Sequence, residues 1–223
     1  MMRPKFSGLY AITPDVADTS RLIRMTQLVL AGGTALVQYR SKTTDIALRL
    51  EQAHSLAHLC RKFRVPFIIN DYLDLAMEVG ADGVHLGRDD VGITEARREL
   101  GAEKIIGISC YGSLEYAIEA ERQGADYVAF GAFFPSVTKP GAMPAPADLL
   151  RHAKLELHIP IVAIGGITPD NAVGPIRQGA DMVAVSNALF NARNIRSTTE
   201  SFSRLFNLNH HSTSHHHGVA NVT

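Results

Sequence analysis

Four segments of the chain repeat one another: AGGTALVQ (31–38), VGADGVHL (79–86), QGADYVAF (123–130) and QGADMVAV (178–185). Each carries the end of a helical pattern through a glycine-containing turn into a short apolar run. They recur roughly every 45–55 residues, too far for one strand–helix unit and right for two. The intervening strands are then predicted at FIIN (67–70), IIGIS (105–109) and IVAIG (161–165), with GLYAIT (8–13) ahead of the first repeat. All these runs are continuous rather than alternating, the pattern of a parallel sheet buried on both faces. Helical patterns such as 47–63 and 113–124 separate them. At about 28 residues per unit, eight units fill a compact barrel. The expected fold is α/β, a single-domain (β/α)8 TIM barrel over residues 1–206. A doubly wound open sheet is the alternative, but no G-x-G-x-x-G follows the first strand and the repeat persists to the last.

Composition narrows the partners. Lys plus Arg and Asp plus Glu each number 22, so the formal net charge is zero. That balance offers no electrostatic footprint for nucleic acid or an anionic membrane, and any basic feature must be local. The start MMRPKFSGLYAIT lacks the apolar stretch of a secretion signal, and no apolar run approaches the ~18 residues of a membrane span. A cytoplasmic protein is expected. Cys60 and Cys110 read as small buried thiols of a reducing compartment. His54 and His58 have a helical spacing able to chelate zinc but no third ligand nearby, and read as a surface pair. Residues 207–223 are histidine-rich without apolar periodicity and read as a disordered tail. Nothing in the chain speaks to its oligomeric state.

In a barrel of this type the C-terminal strand ends form the active face. Those ends carry Gln38, Arg40 and Lys42; Asn70 and Asp71; Arg88, Asp89 and Asp90; Ser109; Gly165 and Gly166; and Ser186 and Asn187, whereas the strand interiors read as almost wholly apolar. Two phosphate sites of unlike chemistry follow. After strands 7 and 8, the Gly165-Gly166 pair, Thr168 as a helix cap, Pro169 at the first helical position and the Ser186-Asn187 pair suit a phosphate monoester at helix N-termini. Across the mouth, Arg40 and Lys42 lie two apart, and Asp71 and Asp90 offer hard oxygens of the kind Mg²⁺ takes together with substrate phosphates, a set suited to a diphosphate. Helix capping is the simpler role for either aspartate; their convergence on one face favours the metal. Between the two sites runs FGAFFPSVTKPGAMPAP (130–146), an irregular connection long enough to act as a lid. Ser136, Thr138 and Lys139 stand at its centre, the hydroxyls suited to one phosphate and the lysine to the other.

The segments LYAIT, QYRSK, IIND, GVHLGRDD, GIS, GADYVAFGAFFPSVTKPGA, IVAIGGIT and GADMVAVSNALF run in the order of the thiamine-phosphate synthase family, which the chain resembles over 9–190. The resemblance implies an enzyme joining a pyrimidine diphosphate to a thiazole phosphate, through a pyrimidine cation captured by the thiazole nitrogen. It implies that Gln38, Tyr39, Arg40, Ser41, Lys42, Asn70, Ser109 and Lys139 bind the pyrimidine diphosphate, with Arg40, Lys42 and Lys139 stabilising the leaving charge. Asp71 and Asp90 would hold Mg²⁺. Ser136, Val137, Thr138, Gly166, Ser186 and Asn187 would hold the thiazole phosphate. No general base is required, consistent with the lack of an evident catalytic histidine. Four positions depart from the family pattern: Pro14 where an acid is usual, Arg88 for glutamine, Ser136 for threonine and Asn187 for serine. Thiazole tautomerases, other phosphate-binding barrel isomerases and non-catalytic precursor-binding barrels share the architecture. The retained Asp71, Asp90 and Lys139 argue against each.

Overall fold

The computed structural model describes residues 6–88, 90–135 and 144–212. Eight parallel strands close into a barrel in sequence order. They are β1 (Gly8–Ile12), β2 (Leu36–Tyr39), β3 (Phe67–Asn70), β4 (Gly83–Leu86), β5 (Ile105–Tyr111), β6 (Tyr127–Phe130), β7 (Ile161–Ile164) and β8 (Met182–Val185). Outside lie α1 (Thr19–Ala31), α2 (Ile46–Phe63), α3 (Leu73–Glu78), α4 (Ile93–Leu100), α5 (Leu114–Arg122), α6 (Leu149–Glu156), α7 (Val173–Arg177), α8 (Asn187–Phe190) and α9 (Ile195–Ser212). The barrel expectation holds, and the open sheet is excluded by the β1–β8 pairing. None of the described helices is long and apolar enough to cross a membrane. Helix α9 continues past residue 206 as far as Ser212, so the helical backbone extends into the histidine-rich segment; residues 213–223 lie outside the described ones.

The repeat now has a physical explanation. Gly33, Gly80, Gly124 and Gly179 take φ of 88, 63, 99 and 112°, the left-handed turn that ends a helix and that glycine enters without steric cost. The Asp that follows in three copies then clamps its strand to the preceding one. Asp82, Asp126 and Asp181 each donate a backbone N–H to the carbonyl of Phe67, Ile106 and Ile161 respectively. Each also accepts, on its carboxylate, the N–H of that same residue, at 2.8, 2.8 and 2.9 Å. In the first copy Thr34 donates its hydroxyl to the Leu9 carbonyl at 2.9 Å. Three strand pairs are thus registered by one device, each charge-assisted bond contributing about 1.5–3 kcal/mol, and a fourth by a neutral hydroxyl at the equivalent position.

Helix α1 shows how the outer layer attaches. Asp18 caps it by accepting from Arg21 N at 2.9 Å, and Leu22, Met25, Thr26, Val29 and Leu30 form its buried stripe. Cys60 and Cys110 are buried and free, and burial pushes both thiols up to about 12, as inert core thiols require. His54 and His58 are both exposed on α2, and no group of three metal-ligating side chains is found among the described residues.

Inside the barrel, side chains alternate inward along each strand. Leu36, Ile68, Ile105, Val162 and Met182 belong to the inner cluster, together with Tyr10 and Tyr127. Gly107 is what makes room for Tyr127: a Cβ at this position would fall inside the tyrosine ring. We expect Gly107→Ala to cost about 3 kcal/mol, the upper range for overpacking a filled core, because the ring is held by hydrogen bonds and cannot swing aside. Chemical denaturation of the purified variant measures this, and a loss below about 1 kcal/mol would contradict the packing argument.

Candidate active site

The C-terminal strand ends surround one cavity of about 1160 Å³, somewhat larger than ordinary ligand pockets and roomy enough for two small substrates. Its wall includes Gln38, Arg40, Asn70 and Ser109 on one side and Gly165, Gly166, Ser186 and Asn187 on another. Members of both groups of expected ligands therefore meet at one opening.

The β1 and β2 ends are stitched together. Arg40 N donates to Thr13 Oγ1 at 3.0 Å, and Lys42 N donates to Asp15 Oδ1 at 2.6 Å. Asp15 Oδ2 also stands 3.9 Å from the Arg40 guanidinium. The acid missing at Pro14 is thus supplied one residue later, by Asp15. Arg40 lines the cavity, while Ser41 and Lys42 stand outside its wall. Tyr39 points the other way: strand alternation turns it outward, and its hydroxyl donates to Gln52 of α2 at 2.9 Å.

Asp71, next in sequence to the cavity-lining Asn70, and Asp90, two residues beyond the cavity-lining Arg88, sit side by side but are not themselves among the residues that line the cavity. Asp71 has φ 65°, a left-handed conformation that aspartate tolerates better than most residues, and its N–H donates to the His85 carbonyl at 2.9 Å. Partial desolvation and then the neighbouring Asp90 carboxylate push Asp71 up to about 6, against the opposing pull of Arg40 and Asn70. Gly87 N donates to Asp90 Oδ2 at 2.6 Å, and the two adjacent carboxylates concentrate negative charge that Arg40 offsets only in part. Hard oxygens with excess negative charge fit a divalent cation that takes its remaining ligands from water and phosphate.

The Gly165-Gly166 pair has a second reason to exist. Their φ values are 102 and 62°, and added Cβ atoms would strike Ala132 and the carbonyls of Phe134 and Pro135. The stem of the connection after β6 lies directly on these glycines. Phe133 N donates to the Ile164 carbonyl at 3.2 Å, Phe134 N to Gly165 O at 3.1 Å, and Ala145 N closes the stem onto Ala132 O at 2.8 Å. The pair therefore serves the packing of this stem as well as any ligand approach. Thr168 is not the expected side-chain cap: α7 begins at Val173, and Asn171 secures the turn by accepting from Thr168 N at 2.8 Å and donating to Gly166 O at 3.0 Å. Ser186 does occupy the N-cap position of α8, with no side-chain capping bond. The Asn187 carboxamide accepts from Asn191 Nδ2 at 2.6 Å. Ser136, Val137, Thr138 and Lys139 lie outside the described residues.

The barrel floor differs most from expectation. It is polar: Tyr10, Gln38 and His85 line the cavity from below, and Tyr127 connects them. The interiors of β1, β2, β4 and β6 are therefore not wholly apolar, and a histidine does face the cavity. His85, inside the run GVHL, was the available signal, since a buried histidine demands partners. Arg88, the departure from glutamine, lies with its guanidinium 5.6 Å from the ring of Tyr111 and 5.3 Å from that of Tyr116, and lines the mouth.

The chain is similar to known proteins over most of the barrel. The family model described as thiamine monophosphate synthase matches residues 9–189. The thiamine-phosphate synthase of Nitrosospira multiformis is 67% identical over 204 residues, covering 92% of this chain and 87% of that protein. That of Nitrosomonas eutropha is 56% identical over 206 residues, covering 92% and 97%. Among solved structures, a thiamine phosphate pyrophosphorylase from Pyrococcus furiosus superposes with a TM-score of 0.81 at 35% identity, covering 92% of this chain and 98% of that one. With the strand-end residues gathered round one cavity and a family match spanning most of the barrel, this chain belongs to the thiamine monophosphate synthase family.

Proposed function

We propose that this chain condenses 4-amino-2-methyl-5-hydroxymethylpyrimidine diphosphate with 4-methyl-5-(2-phosphoethyl)thiazole, yielding thiamine monophosphate and diphosphate. The bond between the pyrimidine methylene and the diphosphate oxygen breaks, its electron pair leaving with the diphosphate. The thiazole nitrogen lone pair then forms the new C–N bond. The observation that carries this reading is a single cavity walled by Arg40 and Asn70 on one side and by Gly166 and Ser186 on the other. An enzyme that joins two phosphorylated molecules requires such an arrangement.

In this reading Arg40, Lys42 and Lys139 are the catalytic cations that stabilise charge developing on the departing diphosphate. Gln38, Asn70 and Ser109 orient the pyrimidine, while Tyr39 and Ser41 set the segment that carries Arg40. Ser136, Val137, Thr138, Gly166, Ser186 and Asn187 hold the thiazole phosphate. The connection after β6 excludes water that would otherwise capture the pyrimidine cation. Asp71 and Asp90 would hold Mg²⁺, which supplies charge neutralisation at the leaving group. Incubating the purified protein with both precursors and Mg²⁺ should give thiamine monophosphate and an equal amount of diphosphate. Absence of product from folded protein would sink the reading.

The aspartate pair also makes a prediction about pH. Folding raises Asp71 to about 6, above the ~3.9 of an unperturbed aspartate. The folded state therefore binds more protons between these values, and metal-free stability should fall as pH rises through that window. A divalent cation needs both carboxylates ionised, so the increase in Tm on adding Mg²⁺ should grow from pH 5 to pH 7. Asp71→Asn should abolish that growth. A magnesium shift that is the same at both pH values would remove the pair from the metal site.

A further inference from the structure

Five buried or cavity-facing side chains form an unbroken hydrogen-bonded chain across the barrel floor. Gln38 Nε2 donates to Tyr10 OH at 2.7 Å, and Tyr10 OH lies 2.7 Å from Tyr127 OH. Tyr127 OH is 3.0 Å from His85 Nδ1, and His85 Nε2 is 2.8 Å from Ser109 Oγ. Tyr127 is 0% exposed, Gln38 2% and His85 7%, so water has little access to these bonds. Both phenols keep their protons, since burial raises each well above its ordinary value.

Counting protons couples all the bonds of the chain, so that the Gln38 carboxamide, donating to Tyr10, sets the direction of the rest. Each phenol has one proton and two neighbours in the chain, so each must accept from one side and donate to the other. The Tyr10 oxygen already accepts from Gln38, so it donates to Tyr127. Tyr127 then donates to His85 Nδ1, which must be unprotonated. The proton of neutral His85 therefore sits on Nε2 and is donated to Ser109. Ser109 in turn has its own hydroxyl proton left for the cavity, and Gln38 leaves its Oε1 as an acceptor. Turning the Gln38 carboxamide by half a turn would reverse every bond at once, leaving a donor at Gln38 and an acceptor at Ser109. The two ends cannot be set independently.

We propose that Tyr10, Tyr127 and His85 are positioning residues that fix the hydrogen-bonding polarity of the pyrimidine pocket, so that it accepts a 4-aminopyrimidine and rejects the 4-oxo counterpart. This deepens the functional reading above and rests on it. The amino form carries an exocyclic donor beside ring-nitrogen acceptors. The oxo form carries the reverse, a carbonyl acceptor beside a ring N–H. An acceptor at Gln38 with a donor at Ser109 complements the first, and the second meets like groups unless the whole chain inverts. Sites built this way discriminate strongly, because a mismatched ligand leaves buried polar groups unpaired.

The test has one arm without ligand and one with. Nitrogen-15 NMR of histidine-labelled protein, with His85 assigned by its loss in His85→Gln, should show Nε2 protonated and Nδ1 accepting. An Nδ1-protonated ring overturns the proposal. Calorimetry with the aminopyrimidine diphosphate and its 4-oxo analogue should give a preference for the amino form of about 10² or more. Tyr127→Phe and Tyr10→Phe break the chain at two separate links and keep the rings that fill the core. Each should narrow that preference at least about tenfold, by weakening the amino form and not the oxo form. Equal weakening of both ligands, or an unchanged preference in folded variants, overturns the proposal. A wild type that binds neither pyrimidine overturns the functional reading, and with it the assignment of this polarity to a pyrimidine. One that binds the aminopyrimidine while both variants keep its preference overturns the chain's role alone.

Discussion

Lys139→Ala is expected to lower the single-turnover rate at saturating substrates by about 10²–10³, the usual consequence of losing one electrostatic contact to developing charge. The expectation comes from where the connection after β6 is anchored. Its described stems are pinned to the end of β7 and to each other through Phe133, Phe134 and Ala145, and Pro135 and Pro144, on either side of the segment that carries Lys139, line the same cavity as Arg40. The sequence around Lys139, rich in proline and small residues, carries no helix or strand periodicity, so removal of the lysine should leave Tm nearly unchanged. Lys139→Arg should restore only part of the rate, because a planar fork does not reproduce a compact ammonium. The loss should appear in kcat as well as KM, since the charge it meets grows only as the diphosphate departs. An alanine variant as fast as wild type in single turnover would make the lysine a bystander.

Gly166→Ala should damage both stability and the thiazole-phosphate side of the site. Alanine at φ 62° carries a cost of about 1–2 kcal/mol for the left-handed conformation alone. Its Cβ would also press on the carbonyls of Phe134 and Pro135, so the stem of the connection must lift, adding about 1–3 kcal/mol of overpacking. Thermal unfolding should register the sum. KM for the thiazole phosphate should rise at least about tenfold, with a smaller change for the pyrimidine diphosphate. If Tm and both KM values stayed at wild-type levels, the stem would not be seated on Gly166 in solution.

Parts of this site were readable without coordinates because they are local. Gly165-Gly166, Asp71 and Ser186 stand directly after a strand stops, and Asp90 four residues after one. A strand stop is marked by a change in composition over a few residues. Ser109, taken as the end of its strand, lies two residues inside β5. Tyr39 and Thr168 were misplaced for the opposite reason. Which way Tyr39 turns depends on the phase of β2 within the closed sheet, and whether Thr168 caps α7 depends on where that helix starts. Asn171 decides the latter by taking the Thr168 N–H itself.

The number and sequence order of the strands and the helix stops were determined by the sequence alone, because the glycine of each repeat acts on its own turn. That the aspartate after it clamps the neighbouring strand is visible only in the structure. The polar barrel floor was decided only by the tertiary structure. In an open amphipathic sheet one face is wet, and hydropathy reveals which residues point inward. Here both faces are buried, so Leu9 and Tyr10, or Val37 and Gln38, look equally interior along the chain. Only closure of β8 on β1, with Tyr10 paired to Ala184, sets which residue of each pair faces the axis. That closure brings Tyr10 within a hydrogen bond of Tyr127 from across the barrel.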